Sequence, residues 1–99
     1  MFAYTWEYRV RPGHIDDFKV AYGGGGDWAM LFKMGQGYFR TDLLEDMEHP
    51  GRFMTTDFWD SREDWEAMKR LNTREFDRID KECERLTEDE KFIGFFELC

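Results

Sequence analysis

Gly51–Met68, GRFMTTDFWDSREDWEAM, is the stretch that decides the fold of this chain. It reads as a β-strand ending on Trp59, followed within two residues by a helix that starts at Ser61. Ser61 is a good N-cap because its hydroxyl can accept a hydrogen bond from an otherwise orphaned helix N–H. Asp64, three residues on, completes a capping-box-like pair and suits the positive end of the helix. The junction therefore specifies a strand-to-helix transition, and with it the second half of the architecture.

Working outward, residues 2–10 alternate. Phe2, Tyr4, Trp6, Tyr8 and Val10 share one face, and Ala3, Thr5, Glu7 and Arg9 share the other, which predicts a first strand with one aromatic side. Pro12-Gly13 ends it. A helical segment follows with Ile15, Phe18, Ala21 and Tyr22 on one side, and Gly23–Gly26 interrupt it. Asp27 is placed to cap a second helical piece whose Trp28, Leu31 and Phe32 share a face. Gly35 and Gly37 flank the exit into a second strand over about 38–46. The polar stretch Met47–Gly51 predicts a hairpin to the third strand, Phe53–Trp59. A long helix is expected over 62–86, then a short capped turn at Thr87–Glu90 and a fourth strand from Phe92 to Leu98.

That order, β-α-β-β-α-β, predicts a single α+β domain over residues 1–99. It is the ferredoxin-like split βαβ arrangement, a four-stranded antiparallel sheet with both helices on one face. In the last strand Phe92, Phe96 and Leu98 are expected to point one way and Ile93 and Phe95 the other. Both sheet faces then look partly buried, and a second copy of the sheet is the expected cover for the face without helices. Burying surface this way also suits a chain of 99 residues, which has little core of its own.

Composition narrows the function. The net charge of −8, from 22 acidic and 14 basic side chains, disfavours nucleic acid and anionic membrane surfaces as partners. No apolar run is long enough for a membrane span, and the strand-like N-terminus lacks the pattern of a signal peptide. Cys83 and Cys99 have no CxxC partner, so free thiols and a cytoplasmic location are expected. Eighteen aromatic residues require a core or a ligand pocket rich in rings.

The individual candidates follow from the faces. Trp65, Met68, Asn72, Phe76, Ile79, Cys83 and Leu86 form one inward stripe on the expected long helix, with Asn72 near its centre. Asn72 is either a structural amide bonded to backbone or a Tyr hydroxyl, or a polar group facing a pocket between helix and sheet. Tyr4, Trp6, Trp28, Phe32, Tyr38, Trp59, Trp65 and Met68 are the residues that could line that pocket, or simply pack as core. The glycine run is no phosphate loop, since Asp27-Trp28 follows it in place of a Lys-Ser/Thr pair. It reads as a flexible loop or a lid hinge. His14 and His49 read as surface histidines, and Asp46, Glu48 and His49 lack the further ligands that a metal site needs, so no metal is expected. Glu66→Arg70 and Asp77→Lys81 have the spacing of solvated helix ion pairs.

Several segments together resemble the antibiotic biosynthesis monooxygenase superfamily of dimeric α+β barrels. They are Trp6-Glu7-Tyr8-Arg9-Val10-Arg11-Pro12-Gly13, the Gly37-Tyr38 strand start, Asp57-Phe58-Trp59-Asp60-Ser61, and Tyr22–Phe32 with its Gly-Asp-Trp-Ala core. The resemblance spans nearly the whole chain and implies a homodimer. It also implies one of three outcomes: a cofactor-independent oxygenase of phenols or quinols, a haem-degrading enzyme, or a protein without known activity. Haem degraders of that family carry an Asn on the first strand and a Trp and a His on the last helix. Here the first strand offers Trp6 and no Asn, and the last helix has no His, so no haem and no other cofactor are expected. A cofactor-free oxygenase needs aromatic walls, water exclusion and a group that helps to deprotonate its substrate. Asn72 and Asp57 are the catalytic candidates on this reading, with Tyr38 and His14 as further possible bases. The alternative is a non-catalytic dimer that binds a small molecule or only keeps the fold. A ligand-sized cavity between the long helix and the sheet would favour the enzyme; a filled core with Asn72 satisfied by backbone would favour the alternative.

Overall fold

The computed structural model describes all residues 1–99. Its order is β1 (Phe2–Val10), α1 (Ile15–Tyr22), α2 (Asp27–Phe32), β2 (Tyr38–Glu45), β3 (Arg52–Trp59), α3 (Arg62–Leu71), α4 (Thr73–Cys83), a single 3₁₀ turn at Glu84–Leu86, and β4 (Thr87–Glu97). The strands form one antiparallel sheet in the order β2-β3-β1-β4, the ferredoxin-like topology. No helix is long and apolar enough to cross a membrane.

The junction at Ser61 forms as its sequence predicts. The Asp64 backbone N–H donates to Ser61 Oγ at 3.2 Å, and Glu63 and Asp64 occupy the first turn of α3. Gly37 locks the same corner. Its φ of +88° and the 2.2 Å that would separate an added Cβ from the Asp64 carboxylate leave room for glycine alone. Its carbonyl accepts from the Asp60 N–H at 2.7 Å. In the β2–β3 hairpin, Asp46 Oδ1 accepts from the backbone N–H groups of Glu48 and His49, and Asp46 Oδ2 accepts from Arg52 Nη1 at 2.8 Å. Arg52 also reaches Glu7 on β1, so one guanidinium ties the turn to the centre of the sheet.

In the layout of the elements, four expectations need correction. The predicted helix over 62–86 is broken at Asn72, which ends α3 and starts α4 with φ −126° and ψ 34°. Thr73 Oγ1 donates back to the Lys69 and Arg70 carbonyls there, the kind of side-chain bond that bends helices. The expected turn at 87–90 is strand: β4 starts at Thr87 opposite Val10 and runs eleven residues. Its alternation also changes in mid-course. A register shift opposite Thr5/Trp6 leaves Ile93-Gly94 as a bulge, so Phe92 faces Trp6, Phe95 faces Tyr4, and the two rings meet at 4.9 Å on one side. Lastly, Gly26 rather than Asp27 holds the N-cap of α2, with Asp27 inside the first turn.

The glycine run is a closed turn, not a loose hinge. The Gly26 N–H donates to the Gly23 carbonyl at 3.0 Å, and a Cβ on Gly26 would lie 2.1 Å from the Val20 carbonyl. The helix-surface ion pairs are Arg62–Glu66 and Arg78 with Glu75 and Glu82, in place of the pairs anticipated from Glu66 and Asp77.

The helices cover one side of the sheet, over Phe2, Tyr4, Tyr8, Val10, Phe53 and Trp59. The other side has no cover within the chain and shows Phe39, Leu44 and Phe96 each at least half exposed. Cys83 is buried and Cys99 exposed, both as free thiols.

Candidate active site

Along the centre of the helix-covered face, large rings give way to small polar side chains. Tyr4 on β1 is opposite Asp57 on β3, Trp6 is opposite Thr55, and Thr41 on β2 is opposite Asp57. Where two threonines and an aspartate replace rings, the helices above cannot fill the space. A cavity of about 340 Å³ remains between sheet and helices. Its roof comes from Trp28 and Phe32 of α2, Trp65 and Lys69 of α3, and Phe76 and Asp80 of α4, with Tyr22 and Glu90 closing one end. That volume suits a small aromatic molecule, and rings with a few convergent polar groups are the usual make-up of a ligand pocket.

Asp57 is the chemically notable floor residue. It is 5% exposed. Thr41 Oγ1 donates to its Oδ1, and Tyr38 Oη lies 2.7 Å from Thr41 Oγ1. Since Thr41 has one proton and gives it to Asp57, Tyr38 donates to Thr41, and the three form a chain that fixes the carboxyl. Burial pushes the Asp57 carboxyl up to about 7; the Thr41 and Tyr4 hydroxyls, which favour the charged form, offset only part of this. A carboxyl held there can exchange a proton at neutral pH.

The side-chain nitrogens and oxygens sealed off without a hydrogen bond are His14 Nδ1, Trp28 Nε1 and Trp59 Nε1. Tyr4 and Tyr22 are at least nine-tenths buried and line the cavity, the Tyr4 hydroxyl beside the Asp57 carboxyl and the Tyr22 hydroxyl beside Trp28 and Cys83. Tyr8 Oη pairs with Thr55 Oγ1 at 3.2 Å. Burial raises the Tyr4, Tyr8 and Tyr22 hydroxyls well above their ordinary range, so they stay protonated and act as hydrogen-bonding groups.

At the rim the Lys69 ammonium lies 4.8 Å from the Trp65 ring and 5.2 Å from the Phe76 ring. Asp80 and Glu90 stand at the other end. Burial raises both carboxyls, and each is raised further by acidic neighbours, Glu90 by Asp80 among them. No three His, Cys, Asp or Glu side chains come together as a metal site.

Of the residues anticipated from sequence, Tyr4, Trp6, Trp28, Phe32, Asp57 and Trp65 meet around this cavity. Trp59 and Met68 are packed solid, at 0% and 1% exposure, and do not line it. Tyr38 stands behind Thr41. Asn72 is half-buried at the helix break, and its Nδ2 donates to the Met68 carbonyl at 3.0 Å. It is not among the lining residues, and neither is His14 at the N-cap of α1. His49 is exposed and bonded to Asp46.

Sequence reasoning missed Tyr8, Tyr22, Thr41, Thr55, Lys69, Phe76, Asp80 and Glu90 as lining residues. Tyr8 was on the aromatic face of β1 and could have been included. Thr41 and Thr55 required the strand register, and Glu90 required knowing that β4 begins at Thr87.

Residues 29–79, just over half the chain, match the family model for antibiotic biosynthesis monooxygenases. The match runs from α2 into α4 and contains Asp57 and most of the cavity roof. Among solved structures, SnoaB from Streptomyces nogalater, a cofactor-independent oxygenase, superposes with a TM-score of 0.77 at 14% identity, covering 99% of this chain and 92% of its own. PA3566 from Pseudomonas aeruginosa gives 0.68 at 19% identity, covering 99% and 94%. A conserved protein of unknown function from Bacteroides thetaiotaomicron gives 0.71 at 18% identity, covering 98% and 96%. At such identities the likeness is one of fold. No curated protein matches the chain.

Proposed function

The chain belongs to the antibiotic biosynthesis monooxygenase family, and from that membership we propose that it is a cofactor-independent monooxygenase of a phenol- or quinol-type aromatic small molecule. The observation that carries the reading is Asp57: a carboxyl lining an aromatic cavity, held by the Thr41 and Tyr4 hydroxyls, with its proton affinity raised to about 7.

In this reading the substrate ring lies among Trp6, Trp28, Trp65 and Phe76, with its hydroxyl at the Asp57 carboxyl. Asp57 takes the phenolic proton. The anion carries electron density to a ring carbon that bears hydrogen, and that carbon forms a bond to molecular oxygen. The resulting peroxide takes the proton back from Asp57. Loss of the ring C–H proton and cleavage of the O–O bond then leave one oxygen atom on carbon as a quinone carbonyl and release the other as water. The Tyr4 hydroxyl is placed to donate to whichever oxygen bears the negative charge, and the aromatic walls keep bulk water from the anion.

Asn72 enters as a residue that shapes the roof by setting the break between α3 and α4, and not as a group that touches substrate. Its bond to the Met68 carbonyl is also the feature that favours a second reading, a dimer of the same fold that binds an aromatic molecule without turning it over. In either reading the uncovered sheet face, with Phe39, Leu44 and Phe96 exposed, meets a second copy.

Oxygen uptake with a panel of hydroxyanthrones and quinols, run on wild type and Asp57→Asn, separates the readings. Loss of a positioned base should lower turnover by about a hundredfold with KM little changed. Full turnover in Asp57→Asn would remove Asp57 from the mechanism. Phenol binding to wild type without any oxygen uptake across the panel would establish the non-catalytic reading.

A further inference from the structure

An open groove runs over α3 and α4, from the Arg62–Glu66 ion pair on the one to Asp77 on the other. Three residues line both this groove and the cavity beneath it: Trp65, Lys69 and Phe76. They are the wall between the two spaces. Two of the three are rings pinned by other rings. Trp65 packs on Tyr4 at 5.0 Å and on Phe95 at 5.4 Å, and Phe76 packs edge-on against Trp28 at 5.0 Å. Lys69 is held differently. Its backbone is tied down, since its carbonyl accepts from Thr73 Oγ1 at 2.9 Å. Its ammonium has no carboxylate within ion-pair distance and lies over the Trp65 and Phe76 rings, bridging the break between the two helices.

We propose that Lys69 is a gate on the ligand's route. Its side chain, laid across Trp65 and Phe76, closes the passage from groove to cavity and swings out to admit an aromatic molecule. The proposal goes beyond the oxygenation chemistry and rests on that reading only in that the cavity takes an aromatic ring. Lys69 is half-buried, and its four-carbon stem can change rotamer without moving either helix. Each contact of its ammonium with a ring biases the closed position only about two- to five-fold, so the gate opens readily. The passage it uncovers is walled by the Trp65 and Phe76 rings, along which an apolar ring can slide. The other end of the cavity presents the Asp80 and Glu90 carboxylates, where a neutral ring gains nothing. With the ammonium back over the two rings, a bound molecule is shut off from the groove and its water.

Stopped-flow quenching of tryptophan fluorescence by naphthol, without oxygen, tests this, because three of the four tryptophans line the cavity. The method gives association and dissociation rates separately. Lys69→Ala removes the bar, so both rates should rise together by roughly five-fold, with Kd within about two-fold of wild type, because a gate alters the path and not the end states. Lys69→Arg places a larger planar cation that stacks more firmly on rings, and should lower both rates below wild type at unchanged Kd. At a half-buried helix position neither substitution should cost the fold. Rates unchanged in both variants would overturn the proposal. A change confined to dissociation, with a matching shift in Kd, would also overturn it, since that is the behaviour of a ligand contact. Failure of naphthol to bind wild type would remove the aromatic cavity and the gate together, whereas gated rates without oxygen uptake across the quinol panel would remove only the oxygenase reading.

Discussion

Replacing Asp57 by Asn should make the protein more stable at neutral and alkaline pH, by an amount that the structure bounds. The native carboxyl is raised from its ordinary 3.8 to about 7, first of all by burial. Between those values the native state holds a proton that the unfolded chain has released. Stability is therefore full below the unfolded pKa and is lost as pH rises toward 7. Proton linkage at about 1.4 kcal/mol per pH unit puts the loss at roughly 4 kcal/mol by about pH 8, an upper bound because burial at 5% exposure still allows local relaxation. Asn keeps the size and can still accept from Thr41, so Asp57→Asn should recover most of this, about 2–4 kcal/mol near pH 8 and almost nothing near pH 4. Urea unfolding of both proteins across that range gives the test as a difference. Taking the difference cancels Glu90 and Asp80, whose raised carboxyls act in the same direction. It likewise cancels Glu7, Asp46 and Glu75, whose depressed carboxyls add stability above their unfolded pKa values and lose it as pH falls. A difference curve flat in pH, or a variant less stable than wild type near pH 8, would refute the reasoning.

Three further outcomes are expected. Asn72→Ala should cost about 1 kcal/mol through loss of the bond to the Met68 carbonyl, seen as a lower melting temperature, while oxygen uptake per folded molecule stays at the wild-type level; a collapse of turnover with unchanged melting would return Asn72 to the chemistry. Ser61→Ala should lower stability by about 1 kcal/mol through loss of the cap on α3, measured by denaturant midpoint, and Ser61→Asp should restore it. Light scattering should find a dimer at micromolar concentration, and a charge placed at Leu44 or Phe96 on the uncovered sheet face should shift it toward monomer.

Features with local causes were legible in the sequence. The alternation of residues 2–10, the cap at Ser61 and the hairpin after Asp46 each depend on neighbours within a few positions, and each formed where expected. The helix break was harder to read because neither proline nor glycine marks it; the Asn72-Thr73 pair, with side chains that compete for backbone groups, was the available signal. The start of β4 was obscured by Thr87–Glu90, a polar run that looks like a turn but lies on an outer strand where charged side chains meet water. The bulge at Ile93-Gly94 reversed the expected facing of Phe95 relative to Phe92, which no periodicity in a single strand reveals. Asp57 was legible as a polar residue between Phe53 and Trp59 on a buried face. Its partner Thr41 was not, because the pairing depends on the register of two strands joined through a turn. The cavity is a gap between packed layers, and such a gap has no signature in the order of residues.

The most direct test of Asp57 as the base is the pH dependence of kcat/KM for the best substrate found in the oxygen-uptake panel. Wild type should show activity rising with pH through a single ionisation near 7, as the free enzyme's Asp57 loses its proton. The residual activity of Asp57→Asn should lack that limb. A wild-type profile flat between about pH 6 and 8, or the same limb persisting in Asp57→Asn, would contradict the account.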